Sequence, residues 1–299
     1  MRPTFPFRLR VRWTRFVLLA ALGAAPPAWS DAFVDVAGAI LHNSNLTRAA
    51  GVADRRPDGA FHAAGTFGHH EALSGYDGVT VALIVRGEVY DRYSGLDFAG
   101  IGASASYRRK FGLGVTAPYV LVAASIAYDD YRVDVRDGHR VDASVEVGRR
   151  LSETTDVALG FTFDRRHARS DVPLVPGLSG AIFDLRGYGA FARAEHALDA
   201  QWLVGARLGV RRGDVESTAQ RSREIFEASD AIADDPAFHD PSLFGYRLPG
   251  TTVSLSTTVS YAIDDHSALA LTWLDERTRA AQGLDYRSVI ASLSYLHRF

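Results

Sequence analysis

The chain has 299 residues, no cysteine and a formal charge of −2 at pH 7. Without cysteine there are no disulfides, no thiolate chemistry and no cysteine-ligated metal. The charge balance lacks the basic footprint of a nucleic-acid binder, and no nucleic-acid partner is expected.

Residues 1–30 differ from everything that follows. Arg2, Arg8, Arg10, Arg12 and Arg15 are unbalanced by any acid, Phe16 to Ala25 is a short apolar run, and Ala28-Trp29-Ser30 closes on small residues before Asp31. A run this short cannot cross a ~30 Å hydrocarbon core as a helix. A basic start, a short apolar region and a small-residue site together predict a secretory signal peptide cut after Ser30. The mature part, 31–299, then carries 28 basic against 35 acidic residues and no membrane-helix candidate.

In that part the apolar residues recur with period two, the signature of strands rather than helices. Val253, Leu255, Val259 and Tyr261 alternate with Ser254, Ser256, Thr258 and Ser260; Trp202, Val204, Leu208 and Val210 alternate with Leu203, Gly205, Arg207, Gly209 and Arg211. Val157, Leu159, Phe161 and Phe163, and Val141, Val145 and Val147, behave alike. Twelve segments follow in chain order: 32–42, 59–69, 77–88, 96–109, 116–129, 139–150, 155–166, 181–195, 200–212, 250–262, 266–276 and 286–299. Their length meets or exceeds the ~9–11 residues of a tilted membrane-crossing strand. Strand 116–129 has apolar residues at both parities (Tyr119 and Leu121 against Val120, Val122 and Ile126), which leaves its phase open.

The connections alternate in length. Those near Gly75-Tyr76, Gly112-Leu113-Gly114, Ser152-Glu153-Thr154, Leu198-Asp199 and Asp264-Asp265 are short. Those at 43–58, 89–95, 130–138, 167–180, 213–249 and 277–285 are mostly longer. Short turns at one end and long loops at the other are the build of a transmembrane antiparallel up-and-down β-barrel. The competing reading is a soluble sandwich, whose strands also alternate.

The last segment puts Val289, Ala291, Leu293, Tyr295, His297 and Phe299 on one face. Here the sequence resembles the bacterial outer-membrane β-barrel superfamily (porin-like), whose final strand typically ends in an aromatic residue. The resemblance implies recognition of Tyr295 and Phe299 by the outer-membrane assembly machinery, a location in the bacterial outer membrane, and lipid as surroundings. His297 departs from the usual apolar residue or Tyr. The segment from Arg212 to Arg247 also looks like uncharacterised members of that superfamily, which bring no assigned activity.

Polar residues opposite the apolar rows are expected to line the lumen. By parity they include Asp35, His62, Arg86, Arg108, Asp142, Glu146, Asp164, Arg166, Asp184, Arg186, Arg207 and Arg211. Their mixed signs point to cross-strand pairing rather than to a single-sign selectivity ring. The 37-residue loop 213–249 is a candidate constriction, with Asp214 to Asp235 reading as a helix closed before Pro236; the alternative is a mobile outer loop. Asp234, Asp235 and Asp240 lack the spacing of a calcium loop. His69-His70-Glu71 and His266-Ser267 read as turn residues.

His42-Asn43-Ser44-Asn45 is similar to the His-x-Ser-Asn run of outer-membrane phospholipase and lipid A deacylases. That resemblance implies His42 as base and Ser44 as nucleophile, although the rest of the motif and a third residue are missing. No metal, cofactor or other catalytic constellation is expected. The function that follows is a passive porin-like channel for small solutes, with a lipid hydrolase or a non-conducting surface barrel as alternatives.

Overall fold

A computed structural model describes residues 32–299; the expected signal peptide lies outside the described residues. The strands are β1 (Ala32–Asn43), β2 (Asp58–Ala72), β3 (Asp77–Tyr90), β4 (Phe98–Lys110), β5 (Tyr119–Tyr131) and β6 (Gly138–Arg150). Then come β7 (Thr155–Ala168), β8 (Leu185–Ala197), β9 (Trp202–Gln220), the four-residue β10 (Ala231–Asp234), β11 (Leu243–Ala262), β12 (Ser267–Ala280) and β13 (Asp285–Arg298). Each pairs antiparallel with its neighbour, β1 pairs with β13, and β9 pairs with β11. Leaving aside β10, twelve strands close into one barrel. Closure removes every sheet edge, a source of stability suited to a chain without disulfides.

The outward face is apolar. Leu159 and Phe161 are each 67% exposed, and Ile40, Leu83, Ile101, Ile126, Leu208, Leu255 and Leu271 are exposed in the same way. An apolar band that encircles a barrel is stable only against lipid, which rules out the soluble sandwich. Aromatic residues flank the band. Tyr128 with His139, Phe163 and Tyr188 lie toward the long loops, and the Trp202–Tyr261 pair, 4.8 Å between ring centroids, lies toward the short turns. Among the described residues no helix is long and apolar enough to cross a membrane.

Aspartates shape both ends. At the short-turn end, Asp199 accepts from the Gln201 and Trp202 amides and Asp264 from His266, each at 2.8 Å. These are side-chain-closed turns. The turn after β4 needs Gly112 and Gly114, at φ +131° and +88°, and it delays β5 to Tyr119, three residues beyond the expected start. At the long-loop end, Asp58 accepts from the Arg92 and Tyr93 amides, Asp97 from Tyr90 and Asp137 from Tyr131. A carboxylate at or just before a strand start thus satisfies amides that the ladder leaves unpaired.

The largest departure from expectation is in 213–249. β9 and β11 stay paired from Gly213–Gly250 to Gln220–Leu243, well past the other strands. Of the expected helix 214–235 only Arg223–Ala228 (α1) is helical, and β10 adds to the free side of β11. The 214–235 helix does not form because cross-strand pairing with β11 claims the backbone of 214–220 and 231–234.

Candidate functional site: the lumen and its cap

The β9–β11 extension is a cap over the long-loop end. Val215, Ser217, Thr218 and Ala219 are all buried, so both faces of the extension are covered. It meets every other long loop. The Thr218 amide donates to Thr47 O at 2.7 Å, Arg48 pairs with Glu216 at 2.7 Å, and Arg56 with Asp240 at 3.1 Å. Phe238 packs edge-on against Tyr93, β10 bridges to Ser179, and Ile232 and Tyr246 share a cluster with Ala280 and Tyr286. The pin of the cap is Arg136, on the loop between β5 and β6. Its Nη2 donates to Asp235 Oδ2 at 2.6 Å and its Nε to Oδ1 at 3.2 Å. Thr218 Oγ1 donates to the same carboxylate, whose side chain is fully enclosed. The guanidinium lies over Phe183 (4.4 Å) and Phe238 (5.6 Å). Asp235 is therefore an ion-pair partner, and Asp240 is taken by Arg56; among the described residues no metal-ligating cluster forms.

Beside the pin, the Asp137 carboxyl is raised to about 6. Burial is the main cause and Asp130 and Asp134 add to it, against the pull of the Tyr131 amide and Arg169. Because its folded value lies above the ordinary 3.8, the neutral form is favoured in the closed loop. The stabilisation is complete below about pH 4 and is lost as pH rises through about 6. Hydrogen exchange at Tyr131 and 132–137, corrected for intrinsic rate, should show protection falling across that window, and Asp137→Asn should flatten the profile.

Below the cap, the largest charge network of the lumen is centred on Arg193. Arg193 on β8 donates to Glu146 Oε1 (2.7 Å) and Oε2 (3.0 Å) and to the Tyr119 hydroxyl (2.8 Å). It also lies 3.2 Å from both Asp156 and Glu195. Tyr119 OH donates to Asp156 at 3.0 Å. Arg108 stacks on the Tyr119 ring (4.2 Å) and Arg207 on Phe191 (3.8 Å). Gly148 and Gly160 leave the room that Tyr119 and Phe191 occupy. The network runs from β4 to β9 with three arginines against three carboxylates, balanced in sign. On β11 and β12 hydroxyls predominate, as in the Thr252–Thr278 (2.7 Å) and Thr258–Thr272 (3.1 Å) pairs. Nearer the cap, Arg86 pairs with Asp129 across Gly100 and Arg211 with Asp164 across Gly187, both at 2.6 Å. Arg166 lies over Tyr131 and Phe183 at 5.1 Å.

The structure places Asp35, His62, Arg86, Arg108, Asp142, Glu146, Asp164, Arg166, Arg207 and Arg211 on the inward face. Asp35 pairs with Arg298 at the short-turn end (2.7 Å), His62 faces Glu88 (3.4 Å) and Asp142 lies beside Arg140 (3.1 Å). Arg186 is instead outward, against Phe163, and Asp184 precedes β8, near His167 (3.5 Å). The whole of β8 has the opposite phase to the one its aromatic residues imply: Phe191 is buried in the wall while Ala190, Ala192 and Ala194 face out. Sequence reasoning therefore missed Arg193 and Glu195; it also missed Asp129, on β5 whose phase was open, and Asp156 on β7. The signal was present, since Arg193 and Glu195 share a row with Phe191 whereas the alanine row is uncharged. β5 resolves with Tyr119 inward and Val122 and Ile126 outward.

His42 is exposed on the outward face. Ser44 Oγ accepts from the Val289 amide at 2.8 Å, and no hydrogen bond joins His42 to Ser44. The fold does not bring the two together. Phe299 is exposed, with its amide donating to Val34 O at 2.9 Å; Tyr295 shares its face and donates to Ser267 at 3.2 Å.

No protein family and no curated protein matches the chain. Among solved structures it is similar to an outer-membrane channel from Pseudomonas putida F1, with a TM-score of 0.53 and 13% identity, covering 92% of this chain and 100% of that one. The NanC porin aligns with a TM-score of 0.47 and 7% identity, over 88% of this chain and 98% of that one. The KdgM porin in complex with disordered oligogalacturonate aligns with a TM-score of 0.46 and 8% identity, over 89% and 99%. In fold, this chain is a closed antiparallel barrel of the kind on which bacterial outer-membrane channels are built.

Proposed function

We propose that the chain is a passive conduit for small solutes across a bacterial outer membrane, with the cap over its outer mouth setting the conductance. The observation that carries this reading is the solvent around Arg108 and Arg207, which stay exposed although their register turns them into the lumen. A twelve-strand barrel is wider than the eight-strand ones that side chains just fill. The balanced charges of the Arg193 network favour weak discrimination between small cations and anions. Export by cleavage after Ser30 and insertion through the assembly machinery, with Tyr295 and Phe299 as its signal, complete the reading. Support comes from the basic, then apolar, then small-residue order of 1–30 and from the outward row that Tyr295 and Phe299 share.

The register supplies a clean test. Gly213 and Gly250 are paired, so 214–249 can be replaced by an Asn-Gly turn without disturbing the barrel ladder. Wild type in planar bilayers should give small, weakly selective channels, and the capless variant larger ones. Silence from both sinks the conduit and leaves a non-conducting surface barrel. Equal conductance keeps the conduit but removes the cap from its control.

A further inference from the structure

The outward face of β7, β8 and β9 is ordered in rows. Arg165 pairs with Arg186, and below them lie Phe163–Tyr188–Arg212, Phe161–Ala190–Val210, Leu159–Ala192–Leu208 and Val157–Ala194–Ala206. The middle strand thus presents Ala190, Ala192 and Ala194, all exposed, between ridges of larger side chains on β7 and β9. The result is an apolar trough, and its short-turn half borders a cavity of about 660 Å³ that Leu159, Ala192, Ala194 and Leu208 share with Pro118, Val147, Arg149 and Leu255. The alanine floor extends about 14 Å along β8 at ~3.4 Å per residue.

The head of the trough is cationic. Arg165, Arg186 and Arg212 are exposed at the long-loop end, and Arg165 directly faces Arg186, a like-charge pairing that destabilises a sheet. Among the described residues neither the Arg165 nor the Arg212 guanidinium has a hydrogen-bond or ion-pair partner. The Arg186 guanidinium rests only on the Phe163 ring, 5.7 Å from its centroid. Elsewhere on the same rim such residues are neutralised: Arg287 and Arg277 reach Asp275 at 2.9 and 3.5 Å, and Arg279 reaches Asp285 at 3.2 Å. The acids nearest the three unpaired arginines are otherwise engaged or set back. Asp184, Asp214 and Asp230 line the recess behind Arg165 and Arg186 together with Arg247; there Asp214 accepts from the Arg186 amide and Asp184 faces His167. Arg247 itself donates to the Ala181 and Asp184 carbonyls.

From this we infer that the face is a binding site for one phosphorylated lipid of the outer leaflet. Its phosphate is held by Arg165, Arg186 and Arg212, and an acyl chain lies along Ala190, Ala192 and Ala194. The inference rests on the outer-membrane reading above. An anion bridging the arginines relieves the Arg165–Arg186 repulsion, and guanidinium forks match phosphate oxygens. Tyr188, between the arginine row and the alanines, sits where an aromatic residue marks the boundary between headgroups and hydrocarbon. Adjacent strands lie ~4.8 Å apart, so the trough between β7 and β9 is about one hydrocarbon chain wide. A second copy of the barrel meeting this face would instead bring two unpaired arginine rows together.

The test is native mass spectrometry of the full barrel in detergent, titrated with diphosphorylated lipid A and with the same lipid after phosphatase treatment. Wild type should retain one phosphorylated lipid and release the dephosphorylated one. Binding should weaken about tenfold or more in Arg165→Gln/Arg186→Gln/Arg212→Gln and also in Ala192→Phe, which fills the trough at unchanged charge. Arg277→Gln, on the paired rim, should bind like wild type. Indifference to the lipid phosphate in wild type overturns the site without recourse to any variant. So does retention equal to wild type in the triple variant and in Ala192→Phe, or a bound mass equal to a second protomer. Conductance recorded on the same preparations separates the two readings, because wild type that conducts but retains no phosphorylated lipid overturns this site alone.

Discussion

Arg136→Ala should unfasten the cap while leaving the barrel closed. Asp235 is fully enclosed, and Arg136 supplies both its charge partner and two of its hydrogen bonds. Removing one member of a buried pair strands the other, a loss of about 3–5 kcal/mol. The two aromatic faces that Arg136 covers, Phe183 and Phe238, would also be opened to water. None of these contacts belongs to the β-ladders, so the loss falls on the cap. Hydrogen exchange and limited proteolysis should become fast over 221–242, with strand protection unchanged and bilayer conductance raised. Replacing both partners by apolar residues, Arg136→Met with Asp235→Leu, should restore much of the protection, because no charge is then left buried. A cap in Arg136→Ala as protected as in wild type would show that the hydrophobic clusters around Tyr246 and Phe238 hold it unaided.

Phe161→Arg should destabilise the inserted barrel by about 2–4 kcal/mol, the cost of a charged side chain near the middle of a lipid-facing band. Phe161 is 67% exposed on the outward face, inside the apolar stretch of β7 between Phe163 and Leu159. Gly205→Arg is the matched control. Gly205 faces the lumen, where an added Cβ would make only ordinary contacts, to Glu195 Cγ at 3.7 Å and Ala194 O at 3.9 Å, and the new guanidinium would find the Glu195 carboxylate. Urea unfolding from lipid vesicles should separate the two by most of that range. Similar losses would mean that the outer face is not the one in contact with lipid.

What could be read in the chain alone was whatever a short stretch encodes by itself. Strands β1 to β7, the lower part of β9 and β11 to β13 were visible because alternation along each one records lipid on one side and water on the other. The order of short turns and long loops followed from the same segmentation. The phase of β8 was not legible, since parity there is set by neighbours: Phe191 turns inward because Gly160 on β7 leaves room and Arg207 on β9 covers the ring. One misplaced phase moved Arg186 to the wrong face and hid Arg193, the centre of the lumen network. The cap was illegible for a related reason. Residues 213–220 lose the period-two pattern because the extension buries both faces, so they resemble a helix or a loop more than a strand. The pin of the cap joins residues 99 apart in sequence. Local periodicity determined that this protein is a barrel. Which charges meet inside it and what covers its mouth were decided by tertiary contacts, where side chains of distant segments compete for the same enclosed space.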